Sequence, residues 1–443
     1  MSEYANITIK KLSLALFRNY LNPDIVSLFF SSKDLSIIPN CKFDLDEEES
    51  DYYTQYVYRS TVKKAKERLD AQGFSIYNFE KIFTANLLQA VDYSSFMNHL
   101  KLDFYENDEN DEKITKRIKE RVSFKKWKNA MHKIISYELD NGNLGKYNHK
   151  PNINLSTECD KVIFYSLMDS DSESIYGLFT EFIHIAYIFR LMLESCNDSD
   201  EIVLDFSNIQ YWADDCISKG VIATDDVERT IVLVEGTSDK DILEFAINHI
   251  YPHLSDLFYF MDFSDSKGAT RDGGTSFVIK NLKTFYFSKL KSKFIAIFDN
   301  DAEGYSSKCI LLNEIKKWPD NFRILLYPDN RLFNRYPTLA PNGTIMLDDI
   351  NRKACSIELY LPDYLIKVDE SYLPIEWESR KRIKTTDKFE EAIYQGVISQ
   401  KDEVKNRFHK LRKDIQSEKK SFVPEEWEKM KSLLDTIVFA FAK

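Results

Sequence analysis

The chain has 443 residues, of which 43% are hydrophobic, 14% aromatic and 30% charged, with a formal net charge of -11. At roughly 150 residues per domain, two or three domains are expected, and the 31 Phe and 25 Tyr exclude wholesale disorder. Only 12 Gly and 11 Pro exclude collagen-like chains and long flexible linkers, while the acidic balance means that a nucleic-acid partner needs a local basic surface.

The six cysteines (Cys41, Cys159, Cys196, Cys216, Cys309 and Cys355) form no CxxC, so neither a zinc ribbon nor a thioredoxin-like site is supported. Scattered in this way they read as reduced core residues of a cytoplasmic protein. The opening MSEYANITIKKL has no long apolar run behind its charges and does not read as a signal peptide. Phe182–Leu193 (FIHIAYIFRLML) is too short to span a bilayer and carries His184 and Arg190, so a buried helix is expected and no membrane partner.

Residues 1–225 are expected to be mainly helical. Tyr56–Ala71 is rich in helix formers and stops just before Gly73. Two acidic blocks, Asp44–Asp51 and Asp103–Glu112, read as solvated loops. The second runs into a basic block, Lys113–Lys133, with nine Lys/Arg against one Glu and with Phe124 and Trp127 interleaved. That block fits either a phosphate-contacting surface with stacking aromatics or an exposed helix with those aromatics in the core. A polar loop, Asn141–Asn154, precedes further helical stretches at Lys161–Leu167 and Ser174–Glu194, and then a short apolar piece, Ile202–Phe206.

From residue 231 the pattern alternates. Ile231–Val234, Phe258–Asp262, Phe294–Phe298 and Arg323–Tyr327 read as strands; Ser238–Ile250, Thr275–Leu290 and Tyr305–Trp318 read as helices. Ser238 and Asp241 have the spacing of a capping box. Continuous apolar strands separated by helices argue for βαβ units and a parallel sheet. The tail, Lys401–Lys420, reads as a helix with eight Lys/Arg against four acids.

Acidic residues gather at two strand ends. Glu235 follows IVLV, Gly236 allows a turn, and Asp239 falls in the first turn of the next helix. Asp299 and Asp301 follow FIAIF; in extended chain, residues i and i+2 project to one side. Sites of open parallel sheets lie beyond the carboxyl ends of strands. Converging carboxylates repel, and a hard divalent cation such as Mg²⁺ resolves the conflict while sharing phosphate oxygens with a substrate. A helix N-cap explains Asp239 or Asp301 taken singly, but not both motifs together.

The pair VEGTSD (234–239) and DNDAEG (299–304) resembles the Toprim fold of topoisomerases, bacterial primases and nucleases of the overcoming-lysogenisation-defect type. The segments YPTLAPNGT (336–344), CSIELYLP (355–362), LPIEW (373–377) and YQGVISQK (394–401) are similar to the HEPN/Toprim-associated family. The resemblance implies an α/β Toprim nuclease domain, a parallel sheet flanked by helices, over 226–443 with a C-terminal helical extension. A mainly α-helical, non-catalytic HEPN-like domain over 1–225 would precede it. It further implies Mg²⁺ or Mn²⁺ as cofactor and Glu235, Asp239, Asp299 and Asp301 as catalytic metal ligands; Glu358, in the SIELY segment, is a candidate further metal ligand or else a polar residue at the edge of a strand or helix. The implied activity is phosphodiester cleavage of DNA or RNA, tRNA included, as a toxic effector of bacterial anti-phage defence.

The chain departs from ribonuclease HEPN domains, because none of its seven histidines follows an Arg at a four-to-six-residue gap. The helical half is therefore expected to bind, dimerise or sense. Lys267 and Arg271, in the glycine-rich segment Ser264–Gly274, are candidate phosphate-binding residues ahead of a helix N-terminus. The expected partner is nucleic acid; a homodimer stays open. No P-loop is present, so energy-driven activation would need a separate ATPase or sensor subunit. The rival reading is a non-catalytic nucleic-acid- or protein-binding regulatory module that needs a partner.

Overall fold

Alternating apolar and polar residues in YANITI and LSLALFR make the first two strands, β1 (Tyr4–Ile9) and β2 (Leu12–Arg18), an antiparallel hairpin. The computed structural model describes residues 2–42, 52–90, 123–142, 156, 183–212, 228–261, 274–386 and 389–443. The chain divides into two units, Met1–Val227 with Ala442–Lys443, and Glu228–Phe441.

The N-terminal unit adds β3 (Leu35–Lys42), β4 (Tyr52–Thr61) and β5 (Glu201–Asp205), giving an antiparallel sheet in the order β2-β1-β5-β4-β3. Around it lie α1 (Pro23–Phe29), α2 (Val62–Ala71), α3 (Ile76–Ala90), α4 (Phe124–Asn141), α5 (Ile185–Leu193) and α6 (Ser207–Trp212). The expectation of a mainly helical N-terminal domain is thus corrected: its described residues form a mixed α/β unit. Tyr56–Thr61 closes β4, and Thr61 then caps α2 by accepting a hydrogen bond from the Lys64 N–H at 3.4 Å. Local helix propensity hides this sheet because β5 pairs with strands far away in sequence, and only that pairing satisfies the edge hydrogen bonds. Phe124 packs against Phe79 and Phe83, and Trp127 is buried, so both aromatics of the basic block serve the core. The acidic blocks, the Asn141–Asn154 loop beyond Gly142 and the stretch Lys161–Leu167 lie outside the described residues.

In the second unit, β6 (Thr230–Leu233), β7 (Phe258–Met261), β8 (Phe294–Phe298) and β10 (Phe322–Leu326) form a parallel sheet in the order β10-β8-β6-β7. The connecting helices are α7 (Thr237–Ile250), α8 (Thr275–Phe287) and α9 (Ala302–Glu314). Every residue of β8 is buried, as a strand covered on both faces requires. Chain order runs outward from β6 to β7 and then returns to β8 on the other side of β6. The carboxyl ends of β6 and β8 therefore flank a topological switch point.

Beyond the sheet the chain is not simply a helical extension. β9 (Asn300–Asp301) pairs with β13 (Ala354–Cys355), and β14 (Lys367–Val368) pairs with β15 (Ser371–Tyr372). β11 (Tyr336–Leu339), β12 (Ile345–Asp348), β16 (Ile375–Thr386) and β17 (Phe389–Ile398) form a further sheet in the order β12-β11-β16-β17. Two helices close the chain, α10 (Lys401–Gln416) and α11 (Glu428–Val438). The basic face of α10 is partly tied into the fold: Arg407 donates to the Leu365 and Lys367 carbonyls, and Arg412 pairs with Asp241. Among the described residues no helix is long and apolar enough to cross a membrane.

Candidate functional site

The two acidic motifs fall at the carboxyl ends of β6 and β8, where a parallel sheet directs its loops. Gly236 is the N-cap of α7 and makes no side-chain cap, so the Ser238/Asp241 capping box is not formed. The helix begins two residues too early for it, and Asp239 lies in the first turn. Gly236 is also not a forced glycine: its backbone is extended, at φ -150°, a conformation open to any residue. The glycine that the site requires is Gly304. A Cβ there would stand 2.1 Å from the Asp299 carbonyl oxygen, so only glycine lets α9 approach the end of β8 this closely.

Around this point the structure gathers Glu235, Asp239, Asp299, Asp301 and Glu358. Glu235 Oε1 accepts a hydrogen bond from the Asp299 N–H at 3.1 Å, which ties the two strand ends together. Burial, then the Asp301 charge, pushes the Glu235 carboxyl up to about 8. Burial, then the Glu358 charge, pushes Asp239 up to about 7 against the pull of Lys401 and Lys405. Asp299 is raised well above the ordinary carboxylate range by burial and by the charges of Glu235, Asp239 and Asp301. Its Oδ1 is buried and accepts no hydrogen bond.

Asp301 is different. Its Oδ1 caps α9 by accepting from the Gly304 N–H at 2.7 Å, and its Oδ2 accepts from the Gln395 amide at 2.7 Å. Burial still raises its pKa, with those two hydrogen bonds pulling the other way. The N-cap role weighed against a metal role is therefore realised at Asp301, though not at Asp239, whose helix is capped at Gly236. Glu358, in a 3-10 turn (Ile357–Tyr360), is 1% exposed. It faces Lys401 Nζ at 3.5 Å and Lys405 Nζ at 3.7 Å, both on the first turns of α10. Lys267 and Arg271 lie outside the described residues.

Sequence reasoning missed Lys401, Gln395 and Tyr327. Burial works against the charge of Lys401, but Glu358, Asp299 and Asp239 outweigh it and push its pKa up to about 12. Gln400, in the left-handed region at φ 55°, sets the start of α10 that presents this lysine. Tyr327 is buried, and its hydroxyl is held neutral by burial and by the charges of Asp239, Asp299, Glu235 and Glu358. A lysine or glutamine far along the chain carries no local signal of such a role; only the approach of β17 and α10 to the sheet ends creates it.

Among the described residues, no group of three or more His, Cys, Asp and Glu side chains is drawn together tightly enough to hold an ion by itself. The donor set is nonetheless that of a hard cation. It consists of carboxylates, with Asp299 Oδ1 buried and without a hydrogen bond, while the buried Glu358 Oε2 faces Lys401 Nζ at 3.5 Å. Mg²⁺ is commonly held by one or two carboxylates, completing its shell with water and substrate phosphate, so a closed protein cage is not needed.

A family model described as HEPN/Toprim N-terminal domain 1 matches residues 1–225. The matched region ends before β6, so the carboxylate cluster lies outside it. No curated protein and no solved structure matches the chain. The match covers half of the chain, and the chain belongs to the HEPN/Toprim N-terminal domain 1 family.

Proposed function

We propose that this member of the HEPN/Toprim N-terminal domain 1 family is a divalent-metal-dependent nuclease whose Toprim-type site lies at the ends of β6 and β8. The observation that carries the reading is Asp299: a half-buried residue whose carboxylate Oδ1 is buried and lacks any hydrogen bond, among three other acids that raise its pKa. Such a group is costly to keep charged unless a cation joins it.

Glu235, Asp239 and Asp299 would hold Mg²⁺ or Mn²⁺, with Asp301 and Glu358 at the margin. Bound there, the ion supplies Lewis-acid stabilisation and a water of lowered pKa. The protein's own residues do the rest. The Asp299 N–H fixes the Glu235 carboxylate, and Gln395 with the α9 cap fixes Asp301. Lys401 keeps its proton beside the acids and would offer a positive charge to the negative charge that phosphate oxygens gain during displacement. Tyr327, held neutral, keeps a hydroxyl proton against the acid cluster.

The substrate is DNA or RNA, tRNA included, and the biological setting is a toxic effector of bacterial defence against phage. The resemblance of VEGTSD and DNDAEG to Toprim nucleases supports that setting. The test is incubation of the purified protein with plasmid DNA and with total tRNA, in Mg²⁺, Mn²⁺ or EDTA, beside an Asp299→Ala/Asp301→Ala variant. Cutting that needs metal and is lost in the variant supports the nuclease. Folded wild type that cuts neither substrate with metal present sinks it.

A second reading rests on Asp301, whose two oxygens are both engaged within the fold. Under it, the acids are a structural cluster and the protein is a non-catalytic nucleic-acid- or protein-binding module that acts with a partner. It predicts that Mg²⁺ changes neither nucleic-acid integrity nor the melting temperature.

A further inference from the structure

A second charged feature lies on the hairpin that supplies Gln395 to Asp301. β16 and β17 form a long antiparallel hairpin, and a bulge after Trp377 shifts its register so that Ser379 faces Gln395 and Arg380 faces Tyr394. From there the strands alternate regularly. One face packs on α9: Ile383 and Ile393 are buried with Ala302 and Cys309. On that face Lys381 reaches Glu303 at 2.6 Å, and Gln395 reaches Asp301 at 2.7 Å. The opposite face carries Arg380, Arg382 and Lys384 on β16, with Tyr394, Ala392 and Glu390 across from them, and all six are exposed.

The charges on this outward face are not arranged as in a merely solvated hairpin. Lys384 has an acid, Glu390, directly across the ladder. Arg380 and Arg382 do not: they face an aromatic ring and an alanine, and the neighbouring acid along β16 is Glu378 in the bulge. The Arg380 guanidinium lies 5.5 Å from the Tyr394 ring centroid, and that ring remains 52% exposed. Arg380 is one residue along the strand from Ser379, whose ladder partner Gln395 holds Asp301, about 3.4 Å of rise, and its side chain leaves the opposite face of the hairpin. In a chain of net charge -11, two guanidinium groups and an open aromatic ring share the outward face of the hairpin whose inner face holds Asp301.

We propose that the outward face of the β16–β17 hairpin is a surface that seats a single-stranded nucleic acid on the same element that carries Gln395 to the carboxylate site. Arg380 and Arg382 take backbone phosphates, and Tyr394 stacks on an unpaired base. Guanidinium forks suit phosphate oxygens, and a π-face accepts any base, so the surface selects for strand and not for sequence. The inference rests on the nuclease reading for its substrate class, but it makes its own prediction about binding.

The test uses the full chain in EDTA, where binding is read without cutting. Fluorescence anisotropy follows short labelled single-stranded DNA and RNA oligonucleotides across a salt series. Arg380→Gln/Arg382→Gln should weaken binding about tenfold and reduce the log–log salt slope by about 1.4, the share of two phosphate contacts on a single strand. Arg380→Lys/Arg382→Lys should keep the slope, because the charges remain. Tyr394→Ala should weaken binding about tenfold with the slope unchanged, since stacking releases no counterions. Glu390→Gln should tighten binding. Unchanged affinity and slope in the double glutamine variant, or a wild type that binds neither oligonucleotide, overturns the proposal. Metal-dependent cutting with unchanged binding in that variant removes the surface and leaves the nuclease. Salt-dependent binding that the variant loses, with no cutting by wild type in Mg²⁺ or Mn²⁺, removes the nuclease and leaves the surface.

Discussion

In the N-terminal unit, the buried guanidinium of Arg190 meets Asp70 at 2.7 and 3.2 Å and Glu194 at 2.6 Å. Lys128 adds a second cation to Glu194 at 3.1 Å. Burial raises Asp70 despite Arg190, whereas the two cations hold Glu194 below its ordinary value against its own burial. In the C-terminal unit, Glu235, Asp239, Asp299, Asp301 and Glu358 share one region, where Lys401 and Lys405 are the cations that reach Glu358. Both regions bury charge. The first balances it with fixed partners and needs nothing else; the second leaves an acidic excess, and three of its acids stay strongly raised. Balanced buried charge serves the fold, and unbalanced buried charge is what the proposed divalent cation would offset.

The sharpest way to break this comparison is to neutralise the unbalanced side. Asp299→Asn should lower metal-dependent cutting by on the order of a thousandfold, the equivalent of about 4 kcal/mol. It should also raise the melting temperature in EDTA, because it removes a repulsive charge. Asp301→Ala should lower activity as well but should reduce stability by about 1 kcal/mol, because it removes the α9 cap. Cutting rates and thermal melts on the same preparations separate the two; an Asp299→Asn protein that is less stable than wild type in EDTA would contradict the reading.

On the balanced side, Arg190→Ala should destabilise the chain by about 2–3 kcal/mol, at the lower end for a broken buried pair because Asp70 keeps some solvent contact. Denaturant unfolding measures it, and the cutting rate of the folded protein should not change. Gly304→Ala should cost about 2 kcal/mol, since its methyl group would press on the Asp299 carbonyl and push α9 from the end of β8. A variant of wild-type stability would show that α9 relaxes freely.

The smallest effect is with pH. Glu235 and Asp239 titrate near 8 and 7 in the folded chain, well above their unfolded values. The folded state therefore holds protons that the unfolded chain has released. Their contribution is intact below about pH 4 and is lost as pH rises towards about 8. In EDTA the melting temperature should fall by a few degrees across that window, and Mg²⁺ should restore it most at the alkaline end, where the carboxylates are free of protons. A melting temperature that rises with pH in EDTA, or that ignores Mg²⁺ at pH 8, would speak against a cation site.

Much of the C-terminal parallel sheet was legible in the amino-acid order. FIAIF is the whole of β8, and the other three strands fall within one residue of their expected limits, because continuous apolar runs bounded by turns specify buried strands locally. The positions of Glu235, Asp239, Asp299 and Asp301 at strand ends followed from the same local rule. The antiparallel sheet of the N-terminal unit did not, and neither did the strands from Tyr336 to Ile398. β5 pairs with segments far away in the chain, and β16 and β17 are long but largely polar, whereas the β1–β2 hairpin is local and its alternation was there to be read.

Local sequence thus determined where the acids stand, because strand periodicity and strand ends are written within a few neighbouring residues. Only the tertiary structure decided what surrounds them. It set β6 and β8 side by side at a reversal of strand order, brought Gln395 onto Asp301, and turned Lys401 towards Glu358. Burial and charge act through space, and the distances that govern them are made by chain segments that no sequence window contains.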